Sequence, residues 1–204
     1  PLYRVANLAP KLAHKPIATS PIATYFITIY TIFLNINSYL CRVKCGYKIV
    51  AFTGHRDYDG SVDEQLRHVV ATLYNEGARE FRVGMAEGFD LAAAEAVIEL
   101  MERVYDIRLV AFIPWPDFYR PLGSDDQRRY LNILGYCDII HYIAPRYTTS
   151  IFRQRNDRLV DGADTIVAWW RGTQSGTGYT LQRARSQRCH IVNLYPDPQQ
   201  SLDL

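Results

Sequence analysis

The chain has 204 residues, of which 48% are hydrophobic and 22% charged. That suits one α/β domain with an appendage, or at most two small domains, and it excludes bulk disorder, collagen and coiled coil. A net charge of +2, from 23 Lys and Arg against 21 Asp and Glu, lacks the concentrated basic excess of most nucleic-acid-binding proteins, although a local patch stays open. The four cysteines, Cys41, Cys45, Cys137 and Cys189, form no CxxC, and none of the five histidines stands near the Cys41/Cys45 pair. Scattered thiols of this kind are commonly small core residues, so no metal site and no disulfide framework are expected, and the chain reads as reduced and cytoplasmic.

Residues 1–45 read as an N-terminal extension. No formal charge occurs from Pro16 to Cys41. The stretch Ile22–Leu34 is rich in β-branched and aromatic residues, which favours strand over helix. Thr, Asn, Pro16 and Pro21 interrupt it, so its hydrophobic heart is short for a bilayer span, and no small-x-small cleavage site follows it. Three readings stand. The segment is an extension outside the functional domain, disordered or from a misplaced start; or residues 16–41 anchor the chain in a membrane; or they pack on the domain as a hairpin.

From Gly46 to the end, residues 46–204, strand and helix patterns alternate. Lys48–Thr53 is a short apolar run for a buried strand. Ser61-Val-Asp-Glu64 has the spacing of a capping box, and the helix it opens is stopped by Asn75 and Gly77. Phe81–Gly84 is the second strand. Asp90 is placed to cap a helix whose apolar face is Leu91, Ala94, Val97, Ile98 and Met101. Arg108–Ile113 is the third strand, halted by Pro114 and Pro116. Ser124-Asp-Asp-Gln127 is a second capping box, for a helix to about Leu134. Asp138–Ile143, a helix over about Thr149–Val160, Thr165–Trp170, a helix near Tyr179–Gln187 and His190–Leu194 complete the series. Such alternation means βαβ units with right-handed crossovers and a mainly parallel sheet. Ligands in such folds sit at the carboxyl ends of the strands, so the loops that follow each strand carry the functional information.

After the first strand, Gly54 permits close backbone approach, and Thr53 and Arg56 suit phosphate oxygens. The plain alternative is an ordinary βα turn. After the second, Gly84, Ala86 and Gly88 expose backbone N–H groups at a helix start, an anion cradle; Glu87 is placed to accept from a ribose hydroxyl, and the plain alternative is a glycine turn capped by Asp90. After the third, Trp115, Phe118 and Tyr119 offer flat surface, for a base or for the core. After the fifth, Ser175, Gly176, Thr177 and Gly178 bring hydroxyls, N–H groups and a helix dipole together. This is no Walker A loop, because no Lys follows the glycines. On the preceding helix Arg155 is placed to point into the cleft with Arg153 and Arg158 solvated, and the plain alternative is that the whole charge run is a solvated face.

From about Val50 to Leu194 the chain resembles the SLOG superfamily of Rossmann-like nucleotide-ligand proteins, and within it the YpsA-like branch, the DUF1273 group. The resemblance rests on Thr53-Gly-His-Arg56, Gly84-Met-Ala-Glu-Gly-Phe-Asp90, Ile113-Pro-Trp115, Arg155-Asn156 with Asp164 beyond, and Ser175-Gly-Thr-Gly-Tyr-Thr180. It implies a three-layer Rossmann-like α/β fold that binds a phosphate-bearing nucleotide or nucleoside derivative, of the AMP, NAD or ADP-ribose type, over both Gly-rich loops. Thr53, Gly54, Arg56, Gly84, Ala86, Glu87, Gly88, Asp90, Trp115, Arg155, Asn156, Ser175, Gly176 and Thr177 are the candidate ligand-binding residues. The related LOG phosphoribohydrolases carry an Arg-Lys pair and a Gly-Gly-x-Gly-Thr-x-x-Glu motif. Here Asn156 replaces the Lys, and Thr180 stands where the Glu would be.

Cleavage of an N-glycosidic bond needs a placed carboxylate, which a Thr hydroxyl does not replace. Ligand binding, as a sensor or regulator, is therefore expected ahead of catalysis. The alternative is a phosphoribohydrolase-type enzyme in which Arg155 works with Glu87 or Asp90. Nucleic-acid binding, by analogy with the related DNA-processing protein DprA, rests on Arg183, Arg185 and Arg188 and is the least expected. Related proteins pair, which leaves a homodimer open, and membrane contact follows only if residues 16–41 anchor the chain.

Overall fold

The computed structural model describes residues 46–196. The extension over 1–45, with its anchor and hairpin readings and the Cys41/Cys45 pair, lies outside the described residues. Within them β1 (Lys48–Gly54), α1 (Asp63–Asn75), β2 (Ala78–Val83), α2 (Phe89–Met101), β3 (Arg108–Ile113) and α3 (Ser124–Leu134) follow one another. Then come β4 (Ile139–Tyr142), α4 (Ile151–Val160), β5 (Thr165–Trp169), α5 (Gly176–Ser186) and β6 (His190–Asn193). Every strand and helix expected from the alternating pattern is present, with β3 matched residue for residue. The largest differences are three-residue extensions at the starts of β2 and α5.

The strands form one sheet in the order β4-β3-β2-β1-β5-β6, all neighbours parallel. The chain walks outward from β1 to β4, then returns over the sheet to β5, on the other side of β1. Right-handed crossovers put α1, α2 and α3 on one face and α4 and α5 on the other, and the helices pack among themselves in those two groups. The direction reverses between β1 and β5. Their following loops diverge to opposite faces and leave a crevice at the carboxyl edge, the position where open α/β sheets take ligands.

The larger core lies under α1–α3. Val50, Phe52, Phe81, Val83, Leu109, Ala111 and Ile113 alternate along their strands and meet Leu66, Val70, Leu91, Ala94, Val97, Tyr130 and Ile133. Of the apolar positions expected on α2, Leu91, Ala94, Val97 and Ile98 are buried and Met101 is half-buried. The other face is less apolar. Arg82 lies buried there, ion-paired to Glu80 at 2.7 Å, and it donates to the Asp161 carbonyl at 2.7 Å just past the end of α4. Among the described residues no helix is long and apolar enough to cross a membrane.

Three expected caps are corrected. Val62, not Ser61, precedes α1 as its cap residue, without a side-chain cap. The turn is held instead by Tyr58, whose hydroxyl donates to Asp63 and accepts the Val62 N–H. Gly123 precedes α3, so Ser124 is already helical, and Gln127 turns outward to the Arg120 and Leu122 carbonyls. Gly88 precedes α2, which moves Asp90 into the first turn and frees its carboxylate for other partners. Ser175, by contrast, is the true cap of α5, its Oγ accepting the Gly178 N–H at 3.1 Å.

Candidate functional site

The helix α4 connects the two Gly-rich loops through neighbouring residues. Ile151, Arg155 and Leu159 recur at a spacing of four and are all buried, so the helical repeat carries Arg155 inward with two apolar residues. Arg153 and Arg158 are exposed, as expected. The Arg155 Nη1 lies 3.2 Å from the Asp90 Oδ2, with the two side chains only 9% and 5% exposed. The next residue, Asn156, is also buried, and its Nδ2 donates to the Gly176 carbonyl at 3.3 Å.

Gly84 is what lets Arg155 in. A Cβ there would stand 1.5 Å from the Arg155 Nη1 and 2.7 Å from the Asp90 Oδ2. Met85 follows at φ 59°, and Gly88 has φ 77° with the Arg56 carbonyl oxygen 2.3 Å from where a Cβ would be. Gly88 therefore needs both the left-handed backbone and the absence of a side chain. The loop is locked to β1 by the Phe89 N–H, which donates to the His55 carbonyl at 3.3 Å.

Asp90 is the hub of this arrangement. Its carboxylate accepts the Ala86 N–H at 3.3 Å in addition to Arg155. Burial pushes its carboxyl above the usual carboxylate range; the Arg155 charge and the Ala86 and Gly54 backbone groups act in the opposite direction. Burial likewise lowers the Arg155 value, against the pull of Asp90, but a guanidinium stays charged in a protein. The Arg155 Nε is buried and has no hydrogen-bond partner.

Around the hub, Arg56 pairs with Glu87 at 3.6 Å and lies over the Phe152 ring at 5.8 Å from its centroid. Phe152 in turn meets Trp115 and Phe118 edge-on at 6.0 Å. Trp115 thus belongs to an aromatic cluster with one side reaching the site, and Phe152, which sequence reasoning missed, is its link. Thr53 is buried at the end of β1. His55 braces the loops, its Nε2 accepting the Arg171 N–H at 3.2 Å.

At α5, Ser175 caps the helix and the buried Thr177 follows. The first N–H groups of a helix have no intrahelical partner, and α5 begins at Gly176 and Thr177, in the loop that follows the carboxyl end of β5. Thr180 is fully buried and donates to the Gly176 carbonyl at 2.9 Å. Its hydroxyl is spent inside the helix. Asp164, one of the residues carrying the family resemblance, sits at the opposite edge of the sheet, where its carboxylate accepts the Ile49 N–H at 2.7 Å.

Arg155, Asp90, Gly84 and Ala86 thus meet in one place, and α4 links them through Asn156 to Gly176. Arg155 and Asp90 fill the space under Gly84 themselves. Two clefts of about 360 and 370 Å³ flank the site, one beside Tyr58, Glu95 and Arg129 and one beside Asp57, Trp169 and Tyr195. Of the candidates, only Gly88 lines either. Among the described residues no group of three or more His, Cys, Asp or Glu side chains is placed to share a metal ion. Cys137 and Cys189 are free thiols donating to the Ile133 and Ala163 carbonyls.

A parallel six-stranded sheet with helices on both faces and a switch point between β1 and β5 defines a Rossmann-like α/β protein. Within that class, the family model described as the YspA SLOG family (YpsA) matches residues 45–192, and the chain belongs to this family. Among curated relatives it is similar to the UPF0398 protein of Bacillus cereus strain G9842, 21% identical over 72% of this chain and 88% of that protein. The UPF0398 protein of Bacillus thuringiensis strain Al Hakam is 22% identical over the same shares. Among solved structures, DNA processing protein A (DprA) from Streptococcus pneumoniae shares the fold with a TM-score of 0.58 at 17% identity, over 78% of this chain and 53% of that one. DprA from Helicobacter pylori, described for its single-stranded DNA binding mode, gives 0.54 at 18% identity over 71% and 63%. The chain thus spans about half to three-fifths of the DprA chains it matches.

Proposed function

We propose that this protein binds a phosphate-bearing nucleotide or nucleoside derivative, of the AMP, NAD or ADP-ribose type, across the carboxyl ends of β1, β2 and β5, and acts as a sensor or regulator. The observation that carries this reading is Arg155. It is a charged side chain buried at the switch point, admitted only because residue 84 is glycine, with its Nε lacking an acceptor. A cation so placed needs an anion, and Asp90 occupies only one side of it. The start of α5, joined to Arg155 through the Asn156 side chain on the Gly176 carbonyl, supplies a second surface that favours an anion.

Binding is favoured over hydrolysis by the state of the carboxylates. Asp90 is shared among Arg155 and backbone donors and is nearly inaccessible. Glu87 is paired with Arg56. Thr180, in the place of the glutamate of the phosphoribohydrolases, is locked to Gly176. Asp90 and Thr180 are thus committed within the protein, which leaves Glu87 as the carboxylate that the hydrolase reading would have to use.

A thermal-shift series with AMP, ADP, NAD, ADP-ribose and a single-stranded oligonucleotide tests the proposal on the full chain. A rise in melting temperature with one or more mononucleotide or dinucleotide ligands is expected. Flat curves for all of them with a cooperative melt would overturn it. A shift with the oligonucleotide alone, abolished by moderate salt, would move the function to single-stranded nucleic acid. Release of free base from AMP, lost in Arg155→Ala, would establish the hydrolase instead.

A further inference from the structure

The cleft of about 370 Å³ is lined by Asp57, Asp59 and Ser61 from the loop after β1, by Trp169 and Arg171 at the end of β5, and by Tyr195 just past β6. It therefore lies at the carboxyl ends of β1, β5 and β6, on the switch point. Its volume falls within the range of small-molecule pockets, roughly 300–1,000 Å³. Two chains of contact tie it to the Arg155 site. The Tyr58 ring meets Trp169 at 5.0 Å and Phe89, the first residue of α2, at 5.3 Å. The His55 carbonyl accepts the Phe89 N–H at 3.3 Å, and the His55 Nε2 accepts the Arg171 N–H at 3.2 Å.

The lining has two characters. Part of it is flat. Trp169 meets His55, Tyr58 and Tyr195 edge-on, with ring centroids between 5.0 and 5.9 Å apart, and the Arg171 guanidinium lies over its ring at 5.0 Å from the centroid. Aromatic rings and guanidinium planes are the groups on which bases stack. The rest is rich in acceptors. Asp57 pairs with Arg171, and Asp59 accepts the Ser61 N–H at 3.0 Å; each carboxylate keeps further lone pairs for hydroxyl and amino donors. Two carboxylates stand against one guanidinium in the lining, so the balance is negative and disfavours a phosphate there. The other cleft offers no comparable surface: of its described lining only Tyr58 is aromatic, and its Arg129 is held by Glu95 and Asp126. Trp115, the tryptophan placed by its loop to face a base, meets Phe118, Tyr147 and Phe152 edge-on and lines neither cleft.

We infer that the cleft beside Trp169 and Tyr195 receives the base and ribose of the ligand, the base stacked on its flat groups and the hydroxyls facing Asp57 and Asp59. The inference rests on the reading that a nucleotide is anchored at Arg155 by its anion. It adds a direction to the bound molecule, phosphate toward Arg155 and base toward β6. It also sets a preference for nucleotides over a bare sugar phosphate, which an anion site alone does not distinguish.

Two measurements on the full chain test it. The first is photolabelling with the 8-azido form of AMP, NAD or ADP-ribose, whichever the wild type binds, which joins the base to whatever lies beside it. Mapping by mass spectrometry is expected to find label on Trp169, Arg171 or Tyr195, competed away by the unmodified ligand. Label on Trp115 or Phe118, or no competed label while the unmodified ligand binds, overturns the assignment. The second is calorimetry of the same ligand and of ribose 5-phosphate with wild type and Tyr195→Ala. Affinity for the base-bearing ligand is expected to fall about tenfold, the effect of one lost stacking partner, with ribose 5-phosphate unaffected. No fall, or an equal fall for both probes, overturns the assignment and leaves the nucleotide reading standing. A wild type that binds none of the nucleotides removes the parent reading, and this inference with it.

Discussion

The two Gly-rich loops look alike in the sequence and work differently in the fold. The loop from Gly84 to Asp90 is closed from within: a buried ion pair lies beneath it, its Ala86 and Phe89 N–H groups already have partners, and two of its glycines are enforced by atoms within 2.3 Å of a would-be Cβ. The loop entering α5 is open at Gly176. Ser175 caps it, and a Cβ on Gly176 would meet nothing closer than the Asn156 Nδ2 at 4.0 Å. A glycine in the first loop makes room for a side chain. In the second, Gly176 leaves open space beside it, whereas a Cβ on Gly178 would meet the Thr173 carbonyl oxygen at 3.0 Å. On the proposed reading, the contrast gives charge recognition to the first loop and backbone recognition to the second.

Substitutions break that comparison at graded strength. Gly84→Val should be the most damaging, because it expels Arg155 and leaves Asp90 buried without its counter-charge. A loss of about 3–5 kcal/mol in urea unfolding is expected, the usual effect of breaking a buried pair, together with loss of ligand binding. Gly88→Ala comes next, at about 1–3 kcal/mol, from a left-handed backbone and a clash with the Arg56 carbonyl; the same denaturation series reads it. Ser175→Ala removes a cap and should cost about 1 kcal/mol, with Ser175→Asp restoring most of it.

The histidines give a smaller, pH-dependent effect. Burial, and then the Arg171 charge, lower the His55 value below its ordinary 6.5, and burial lowers that of His141 as well. A depressed value means the neutral form is favoured on folding. The stability from these groups is therefore full above about pH 6.5 and is lost as pH falls through the folded-state values. Melting temperature should decline from pH 7 to pH 5, and His55→Gln should flatten that slope without abolishing it, His141 supplying the remainder. Smallest of all, Gly176→Ala should leave stability level or raise it by about 0.5 kcal/mol while weakening ligand binding. An equal stability loss in Gly176→Ala and Gly84→Val would erase the distinction between the loops.

Much of this was legible in the residues. Hydrophobic runs bounded by Gly and Pro marked every strand, and the family motifs marked the loops that meet at the switch point. The inward turn of Arg155 was left open, because a run of arginines on a helix equally reads as a solvated face; its burial with Ile151 and Leu159 decides it. The caps of α1, α2 and α3 were not, because Ser, Asp and Gln at box spacing compete with whatever the tertiary structure offers. Tyr58 takes over the turn before α1, and Arg155 claims Asp90. The exclusion imposed by Gly84 is likewise a property of two distant segments, residues 84 and 155, and no local pattern encodes it.

The central claim is that Arg155 awaits an anionic nucleotide ligand. Native mass spectrometry of the full chain, purified under mild conditions, tests it most directly. The account predicts an added mass that matches a nucleotide or an ADP-ribose derivative, lost in Gly84→Val under conditions where that variant is still folded. Wild-type protein that is bare, and that takes up no nucleotide when the ligands are added, would contradict it.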